Sequence, residues 1–507
     1  MSVADLVRRA AHRSPEKVAL AFGATSVEGR LSYAELDAEV DRVASGLVGL
    51  GVTKGDRVAI AMPNIPHFVY AYFGVLRAGA VAVPLNAMLT QGEISEILSD
   101  AAPRVVLGAA GPGEVAAKAA SVAPGVEKIL TVESWDELGP AEAFSQVSVA
   151  DDDLAVLAYT SGTTGKPKGA MLSHGNLIAN IEQQQSVPTD QVREDDVLLI
   201  TLPLFHIFGL NVPLGLLVRN AATGVLLERF EPVSSLRTIE AEQVTILFGA
   251  PPMYVAWVTT PGADQYDLSS VRLAVSGAAP IPVSVIEAFG DMFAVEIDEG
   301  YGLTETAPTL TSNRMAPRPK RGTVGRPLPD VEMRIVDESG NDVEMGDPGE
   351  IVVKGPNVFQ GYWQREEETE KVFRDGWFHT GDVAVQDEDG FIQLVDRMRD
   401  LVIVSGFNVY PSEVEAALLQ NPKIKDAVVV GVPHEYRGET LKAYVVLSPG
   451  EEIGEDEIIA GVRARLARFK CPESVEIVEE LPYLLSGKVS RRALRTEEQP
   501  PAESTPA

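Results

Sequence analysis

The sequence predicts an α/β protein with a large N-terminal domain of parallel-rich sheets, a small β subdomain and a small α+β C-terminal domain. Three observations predict this class. Apolar, β-branched runs alternate with helical stretches up to about residue 325, short strands separated by turn pairs follow, and a second alternation begins near residue 400. Strands and helices alternating at this spacing favour right-handed βαβ units and largely parallel sheets.

The alternation of strands and helices is already visible in the first 90 residues. A buried strand is predicted at 57–62, a helix at 65–78 and the next strand at 81–84. The same rhythm returns in runs rich in Val, Ile and Leu, at residues 104–107, 196–201, 224–228, 244–248 and 271–275. Short runs that are apolar throughout are typical of strands covered by helices on both faces.

After about residue 325 the sequence changes character. Turn sequences such as Asp347-Pro348-Gly349 and Asp389-Gly390 now separate the apolar runs. The predicted strands are 332–336, 350–354 and 391–395. This pattern predicts an antiparallel, hairpin-rich subdomain.

The C-terminal part returns to an α/β pattern, with helices expected at about 411–420 and 455–468. A charged segment at 396–400 interrupts two apolar strands, and we expect a domain boundary there. The last residues are charged and rich in proline, which predicts disorder. The predicted divisions are an N-terminal domain, a C-terminal domain and a tail, at 1–397, 398–495 and 496–507.

The composition limits the function classes. The formal net charge of -30 argues against a nucleic-acid partner or an anionic membrane surface, so anionic ligands need locally concentrated cations. The single cysteine, Cys471, excludes an internal disulfide and a cysteine zinc site, and it fits a reducing compartment. We expect it to be structural, with a nucleophile as the alternative. No signal peptide or transmembrane run is predicted, so a cytoplasmic enzyme is expected, with any membrane contact made through its substrate.

Residues 159–169 read YTSGTTGKPKG, directly after the apolar run 154–158. Glycines let backbone N–H groups turn toward an anion, and Lys166 and Lys168 add positive charge. These features predict a phosphate-binding loop, with a mobile surface hairpin as the alternative. The spacing is not that of a Walker A loop, because Lys166 is followed by proline, and a G-x-G-x-x-G motif is missing as well.

Further motifs follow in order. They read EGYGLTET, WFHTGD, DRMRD, SGFNVYP and SGK, at 299–306, 377–382, 396–400, 405–411 and 486–488. With the loop, this series resembles the adenylate-forming superfamily of acyl-CoA synthetases, peptide-synthetase adenylation domains and beetle luciferases, from about residue 31 to 492. The runs at 202–208, 361–363 and 406–411 resemble bacterial medium- and long-chain fatty-acyl-CoA synthetases. The resemblance implies a barrel-like β subdomain and a mobile C-terminal domain.

The activity implied is that of an ATP-dependent fatty-acid–CoA ligase. ATP, Mg²⁺ and coenzyme A would take part, and an acyl-adenylate would form with release of pyrophosphate and then AMP. Ligation of an aryl or branched acid is the close alternative, and an acyl-AMP ligase serving a carrier protein and a luciferase are further ones. A catalytically inactive acyl- or AMP-binding protein is the alternative of a different class; the presence of Lys488, Glu305 and Asp382 argues against it. A homodimer is left open.

The resemblance also implies residue roles. The loop residues Thr160, Ser161, Gly162, Thr163, Thr164, Gly165, Lys166 and Lys168 would embrace the β- and γ-phosphates. Thr304 would bind the α-phosphate, and Glu305 would hold Mg²⁺ together with Thr163, as oxygen ligands suit a hard cation. A solvated loop acid is the alternative for Glu305.

Other nucleotide contacts are implied in the same way. The segment following residue 275 and the GYG motif would contribute Gly277, Ala278, Glu299, Gly300 and Tyr301. Asp382 would accept both ribose hydroxyls, which suits a carboxylate with two acceptor oxygens. Its alternative is a turn residue after Gly381. Arg397 would support the ribose or a phosphate.

Four further residues would serve the chemistry. Lys488 would bridge the carboxylate and the α-phosphate and neutralise two anions, with an ordinary exposed lysine as the alternative. Arg399 would mark the hinge of a C-terminal rotation between half-reactions, and Gly406 would line the pantetheine tunnel by its backbone. His206 would line the acyl and CoA entrance; a buried core histidine is its alternative. By the same resemblance, residues 248–253 and Gly300 are candidates for the acyl pocket.

Overall fold

The computed structural model of the chain divides into two compact units. Unit 1 comprises Met1–Met333 and Val353–Phe378, and unit 2 comprises Arg334–Val352 and the described part of His379–Ala507. The described residues are 1–24, 29–86, 89–109, 112–121, 123, 125–140, 144–161, 167–397, 402–404, 407–434, 438–466, 468–483, 489 and 491–496.

Strands and helices alternate along most of the chain. The strands are β1 (Val18–Ala24), β2 (Arg30–Ser32), β3 (Arg57–Ala61), β4 (Val81–Pro84), β5 (Val105–Gly108), β6 (Lys128–Thr131), β7 (Leu154–Ser161), β8 (Pro167–Ser173), β9 (Val197–Ile200), β10 (Thr223–Leu227), β11 (Ile246–Gly249), β12 (Leu273–Ser276), β13 (Ile297–Gly302), β14 (Thr309–Ser312), β15 (Arg326–Pro327), β16 (Glu332–Val336), β17 (Gly349–Lys354), β18 (Phe373–Arg374), β19 (Trp377–Gln386), β20 (Ile392–Arg397), β21 (Val402–Val404), β22 (Phe407–Val409), β23 (Ile424–His434), β24 (Gly438–Leu447) and β25 (Ser474–Ile477).

The α-helices fall between these strands. They are α1 (Asp5–Arg13), α2 (Tyr33–Gly49), α3 (Pro66–Arg77), α4 (Gln91–Ala101), α5 (Pro112–Ala120), α6 (His174–Gln185), α7 (Ile207–Asn211), α8 (Pro213–Asn220), α9 (Pro232–Glu242), α10 (Pro251–Thr259), α11 (Val283–Phe293), α12 (Glu366–Val372), α13 (Pro411–Leu419), α14 (Glu455–Arg463) and α15 (Arg491–Thr496).

Unit 1 contains two sheets that are largely parallel. The first has the strand order β6-β5-β3-β4-β7-β8, and its pairs are parallel except for the antiparallel pair β7–β8. The second has the order β15-β14-β13-β12-β11-β9-β10-β1-β2. It is parallel from β13 to β1 and antiparallel at both ends. The predicted class of parallel-rich α/β sheets is confirmed.

The first sheet forms where the sequence is apolar on both faces of each strand. Val58 pairs with Ala82 on one side and with Val105 on the other, and all three are buried. Helix α4 covers this sheet, and its Ile94 packs in the same hydrophobic cluster as β3, β4 and β5. A helix laid over continuous Val and Ala strands removes apolar surface from water, which stabilises the layer by roughly 25 cal/mol per Å².

Local sequence signals fix several helix starts. Helix α6 follows β8 directly, and its N-cap is Ser173, whose hydroxyl accepts a hydrogen bond from the Asn176 N–H at 3.1 Å. This cap satisfies one of the backbone donors that a helix start leaves unpaired.

Unit 2 contains two smaller sheets. The first has the order β16-β17-β19-β18, with β20 also paired to β19. Both β18 and β20 are antiparallel to β19, so the hairpin-rich β subdomain is confirmed. The second has the order β22-β21-β24-β23, with β25 added in parallel to β24. Helices α13 and α14 pack on it through buried Val414 and Ile458. This is the predicted α+β arrangement.

Cys471 lies in the same hydrophobic cluster of unit 2. Burial raises the pKa of its thiol, which disfavours the thiolate that a nucleophile requires. The cysteine therefore fits the structural role that we expected from the sequence.

One predicted helix was too long. Helix α14 ends at Arg463 rather than near residue 468, because the chain turns there and Lys470 reaches Glu413 of α13 in an ion pair of 2.6 Å. Residues 398–401 and 497–507 lie outside the described residues, so the boundary after residue 397 and the disordered tail stay predictions. In the described part of the chain, no helix is long and apolar enough to cross a membrane.

Candidate active site

The described ends of the sequence YTSGTTGKPKG lie in the antiparallel strands β7 and β8. The antiparallel register pairs Thr160 with Lys168 and Ser161 with Pro167. The residues between these strands, and the side chain of Ser161, lie outside the described residues. The predicted phosphate contacts of Gly162, Thr163, Thr164, Gly165 and Lys166 therefore stay predictions. The hairpin brings the two described ends of the loop together at one edge of the first sheet.

A second segment runs along β8 and carries Tyr362. The Met171 N–H donates to the Gly361 carbonyl at 2.9 Å, and the Trp363 N–H donates to the Gly169 carbonyl at 2.8 Å. These two backbone bonds flank Tyr362 and fix it beside the hairpin. The position of this side chain is thus set by main-chain pairing rather than by side-chain packing alone.

Glu305 is held at both its backbone and its side chain. It lies in a 3-10 turn at Thr304–Thr306, and its carbonyl accepts a hydrogen bond from the Phe359 N–H at 2.8 Å. The Tyr362 hydroxyl donates to Glu305 Oε1 at 2.8 Å. Burial, followed by the charge of Glu305, raises the pKa of the Tyr362 hydroxyl, so the phenol stays protonated and acts as the donor.

Two hydrogen bonds at Thr306 stabilise the turn that carries Thr304 and Glu305. Buried Asn357 donates from Nδ2 to the Thr306 carbonyl at 2.8 Å. The Thr306 hydroxyl also bonds to the Pro308 carbonyl oxygen. This bracing fixes the backbone from which Glu305 projects.

Lys168 lies close to the same tyrosine. Its ammonium nitrogen is 5.3 Å from the centroid of the Tyr362 ring, within range of a cation–π interaction. It also forms an ion pair with Glu368 of α12, and the two side chains are only 14% and 27% exposed. The loop lysine, the tyrosine and Glu305 therefore form one connected group.

The ends of three parallel strands form the neighbouring part of the site. Strands β11, β12 and β13 are adjacent and parallel, so their carboxyl ends meet at one edge of the second sheet. Ser276 pairs with Glu299 in register. Gly277, Ala278, Gly300 and Tyr301 belong to the same strand ends. Ligands of open α/β sheets bind outside the carboxyl ends of strands.

Backbone geometry at this edge leaves little room for larger residues. A Cβ at Gly302 would lie 1.9 Å from the Pro308 carbonyl oxygen, so this position requires glycine. Ala278 has a φ of 73°, in the left-handed region that is uncommon for alanine. The chain therefore follows an unusual path directly after β12.

Two buried polar atoms at this edge lack hydrogen-bond partners among the described residues: Ser276 Oγ and Glu299 Oε2. Glu299 is only 7% exposed. Burial raises its pKa to about 7, although hydrogen bonds from the backbone of Gly322 and Ile281 favour the charged form. Buried polar atoms without partners are uncommon and mark places where a ligand can supply the missing bonds.

His206 is exposed, so the alternative of a buried core histidine is wrong. It is the N-cap of the short helix α7, and its Nδ1 accepts a hydrogen bond from the Phe208 N–H at 3.2 Å. The next aromatic side chain, Phe208, packs on the strand edge, where a Cβ at Gly277 would meet its ring at 3.0 Å. Whether His206 contacts substrate stays a prediction.

Unit 2 carries the other predicted nucleotide residues. Asp382 is almost fully buried in β19 and is paired with Arg397 of β20, so it is a strand residue rather than a turn residue. Glu350 supports the strand beside it by accepting the Gly381 N–H at 3.0 Å. Glu350 Oε2 also lies 2.7 Å from Nδ1 of His379.

The remaining predicted residues fall outside the described part of the chain. They are the side chain of Arg397 and the residues Arg399, Gly406 and Lys488. Their roles stay predictions.

The chemistry of the described groups suits a nucleotide and a hard cation. Among the described residues, no group of three or more His, Cys, Asp or Glu side chains is arranged to hold a metal alone. Mg²⁺ in nucleotide sites uses one or two carboxylates together with phosphates, which a single carboxylate such as Glu305 satisfies. The buried oxygens of Ser276 and Glu299 could pair with the polar edge of a purine ring.

No sequence motif singled out three residues that support the candidate site: Tyr362, Glu368 and Glu350. Tyr362 contacts Glu305, which is 57 positions away, Glu368 pairs with Lys168, and Glu350 accepts the N–H of Gly381 next to Asp382. Residues 361–363 contributed only to the resemblance, and no local spacing links them to the loop or to Glu305.

Comparison with known protein families gives two matches that together span most of the chain. The model of the AMP-binding enzyme family matches residues 7–363. The model of the AMP-binding enzyme C-terminal domain matches residues 413–488.

Individual relatives cover the chain almost completely. A feruloyl-CoA synthase from an Amycolatopsis species is 40% identical, over 96% of this chain and 97% of its own. A long-chain-fatty-acid–CoA ligase from Bacillus subtilis (strain 168) is 35% identical, over 97% and 94%. The crystal structure of ATP-bound MatB from Rhodopseudomonas palustris is 36% identical, with a TM-score of 0.89 over 98% of this chain and 99% of that one.

Proposed function

The chain belongs to the AMP-binding enzyme family of the adenylate-forming superfamily, and from this premise we propose that it is a medium- or long-chain fatty-acid–CoA ligase. It is an AMP-forming acid–CoA ligase that uses ATP, with Mg²⁺ as is general for the family. The observation that carries the adenylation chemistry is the connected group of Lys168, Tyr362 and Glu305 at the end of the β7–β8 hairpin. The choice of a medium- or long-chain fatty acid as the substrate is the more specific part of the proposal.

The reaction has two half-reactions. In the first, an oxygen of the substrate carboxylate attacks the α-phosphorus of ATP, the bond to the β-phosphate oxygen breaks, and pyrophosphate leaves. In the second, the CoA sulfur attacks the acyl carbonyl carbon, the thiol proton is lost, and the bond to AMP breaks. Negative charge gathers in both transition states, so positioned cations and N–H donors supply most of the stabilisation.

The phosphates would be bound by the hairpin loop. Thr160, Ser161, Lys168 and the residues between them would embrace the β- and γ-phosphates, and Thr304 would contact the α-phosphate. Glu305 and Thr163 would hold Mg²⁺, which when bound neutralises charge on the phosphates. Glu305 is suited to this task because the Tyr362 hydroxyl fixes the orientation of its carboxylate.

The nucleoside would lie against the strand edge. Gly277, Ala278, Glu299, Gly300 and Tyr301 would contact the adenine. Asp382 would accept the ribose hydroxyls, and Arg397 would support the ribose or a phosphate. Asp382 and Arg397 are neighbours across β19 and β20, which supports a shared role.

The C-terminal part would supply the groups that change between half-reactions. The domain boundary would fall after residue 397, with Arg399 as the hinge and the C-terminal domain at 398–495. Lys488 would bridge the carboxylate and the α-phosphate in the first half-reaction, and Gly406 would line the pantetheine tunnel in the second. His206, exposed at the start of α7, would lie at the acyl and CoA entrance.

A second candidate substrate is an aryl acid, and one specific observation favours it: the feruloyl-CoA synthase has the higher identity of the two curated relatives compared. A buried aromatic cluster that includes Tyr254 and Trp257 lies beside β11. Tyr254 packs there at Gly249, where a Cβ would meet its ring at 2.8 Å. The fatty-acid proposal is supported by the long-chain relatives.

A panel of carboxylic acids tests the proposal, from acetate through long-chain acids to branched and aromatic acids. Pyrophosphate release and CoA-thioester formation are measured separately for each acid. The proposal expects the highest kcat/KM for both with fatty acids of medium or long chain. A preference for ferulate or benzoate would move the assignment to an aryl-CoA ligase.

Enzymes and binding proteins of three further kinds would give different patterns in the same assay. Pyrophosphate release without a CoA thioester would indicate an acyl-AMP ligase, and light emission with luciferin would indicate a luciferase. No pyrophosphate release with any acid would indicate an inactive binding protein. A cytoplasmic location, a homodimer and a membrane contact through the substrate stay proposals; the single cysteine supports the first of these.

A further inference from the structure

Tyr362 contacts two oppositely charged groups of the proposed nucleotide site. Its hydroxyl donates to Glu305 Oε1 at 2.8 Å, and its ring lies 5.3 Å from the Lys168 ammonium nitrogen. Backbone hydrogen bonds of the flanking residues to Gly169 and Met171 hold it against β8. Its own position is therefore fixed independently of the two charged side chains.

We propose that Tyr362 is a positioning residue that orients Glu305 toward Mg²⁺ through its hydroxyl and supports Lys168 toward the phosphates through its ring. The inference rests on the proposed function and adds a residue to it. The tyrosine touches neither substrate nor metal; it acts through the two side chains that do.

The physical reason lies in the freedom of the two charged groups. A glutamate side chain has several rotamers, and a site that binds a cation must select the productive one in advance or lose affinity. A neutral phenol donating to a carboxylate fixes its orientation without cancelling its charge. A lysine in the same position would pair with Glu305 and weaken its attraction for Mg²⁺.

The aromatic ring of Tyr362 restricts the Lys168 ammonium group much as the hydroxyl restricts Glu305. The π-face of tyrosine attracts an ammonium group without adding a formal negative charge that would repel phosphates. Lys168 also has an anionic partner, Glu368, with which a phosphate must compete. A neutral second contact keeps the ammonium beside the loop when that ion pair is broken.

The test is equilibrium binding of ATP by calorimetry without any carboxylic acid, so that no turnover occurs. Each protein is titrated once with Mg²⁺ and once with EDTA, and the ratio of the two Kd values is compared. Tyr362→Phe removes the hydroxyl and keeps the ring. It is expected to reduce the Mg²⁺-dependent gain in affinity about 10-fold, the effect of one hydrogen bond to a charged group, and to leave binding in EDTA unchanged.

Tyr362→Leu also removes the ring, and it is expected to weaken binding in EDTA by a further factor of about 3, since the cation–π contact is lost. The matched control is Tyr159→Phe. Tyr159 is also half-buried at this hairpin and donates to a carboxylate, Asp100, at 2.7 Å. That variant should titrate like the wild type in both buffers.

A ratio of Kd values depends only on the folded molecules, so a modest loss of stability does not obscure the result. An unchanged Mg²⁺ dependence in Tyr362→Phe overturns the inference, even if the enzyme is fully active. An equal loss in Tyr159→Phe also overturns it, because the effect would then be general loosening of the hairpin. Failure of the proposed function has a different signature, the absence of CoA thioester with every acid.

Discussion

Lys168 and Glu368 form an ion pair at the hairpin β7–β8, although the lysine belongs to β8 and the glutamate to the distant helix α12. The pair is largely shielded from water, with the lysine 14% and the glutamate 27% exposed. A phosphate group that binds Lys168 must therefore compete with a carboxylate for the same ammonium group. If Lys168 binds a phosphate as proposed, the charge of Glu368 would weaken that attraction.

Replacing Glu368 by glutamine should strengthen ATP binding. The amide keeps the shape and removes the competing charge, so the KM for ATP in the pyrophosphate-release assay is expected to fall about 3-fold, as for loss of a partly exposed ion pair. Glu367→Gln, on the exposed side of the same helix, is the matched control and should leave the KM unchanged. An increase of the KM in Glu368→Gln would mean that Glu368 instead holds Lys168 in its productive position.

Glu299 should make the stability of the protein depend on pH. Its pKa of about 7 in the folded protein lies above the ordinary value of 4.5, so the folded state binds this proton more tightly. The contribution to stability is complete below about pH 4.5 and is lost as the pH rises toward 7. Glu299→Gln removes this titration. Above pH 7 the variant should be more stable than the wild type by up to roughly 3 kcal/mol.

Denaturant unfolding followed by tryptophan fluorescence at several pH values measures this difference. The difference in the free energy of unfolding between Glu299→Gln and the wild type should decrease as the pH falls toward 5. Glu296→Gln, at an exposed position just before β13, is the control and should show no such trend. A difference in the free energy of unfolding that stays constant at every pH would show that the substitution acts through packing and not by removing the titration of Glu299.

The strands and helices of unit 1 could be predicted closely because their signal is local. The helix expected at 65–78 is α3, Pro66–Arg77, and the strand expected at 57–62 is β3, Arg57–Ala61. Apolar runs bounded by Pro, Gly and charged residues carry this information in the sequence itself. The helix expected at 455–468 ends early, at Arg463, and the chain continues to Lys470, which pairs with Glu413 of α13; such a tertiary contact is not recorded in local propensity.

The candidate site was predictable in part. Glu305 and Asp382 were singled out because each lies in a motif that can be read within a few residues. Tyr362 and Glu368 were not singled out, because they meet Glu305 and Lys168 only through the fold. The raised pKa of the Glu299 carboxyl could not be predicted either, because it comes from burial at a strand edge and no short sequence motif records that burial.

Gly302 should tolerate no side chain. A Cβ there would lie 1.9 Å from the Pro308 carbonyl oxygen, and backbone atoms cannot move aside as a flexible side chain can. Gly302→Ala is expected to destabilise unit 1 by about 3 kcal/mol or more, or to prevent folded protein from accumulating. Gly300→Ala is the matched comparison in the same strand, because its Cβ would lie 3.1 Å from the Thr311 carbonyl oxygen. Denaturant unfolding should show a much smaller loss for Gly300→Ala; equal losses would contradict this explanation.

Lys488 should be needed for one half-reaction only. If its ammonium group bridges the carboxylate and the α-phosphate, Lys488→Ala removes the charge that lets two anions approach each other. Pyrophosphate release is then expected to fall by at least about 100-fold. Thioester formation from supplied acyl-AMP and CoA should stay close to that of the wild type, since no carboxylate attacks a phosphate in that step.

The control for Lys488→Ala is Lys423→Ala, which removes a half-buried lysine of unit 2 whose ammonium group donates to the Glu452 carbonyl at 3.0 Å. Both half-reactions should be unchanged in that variant. Equal losses of the two half-reactions in Lys488→Ala would indicate a general defect of the C-terminal part. Full retention of pyrophosphate release would exclude Lys488 from the adenylation step, because a charge that the reaction requires cannot be removed without slowing it.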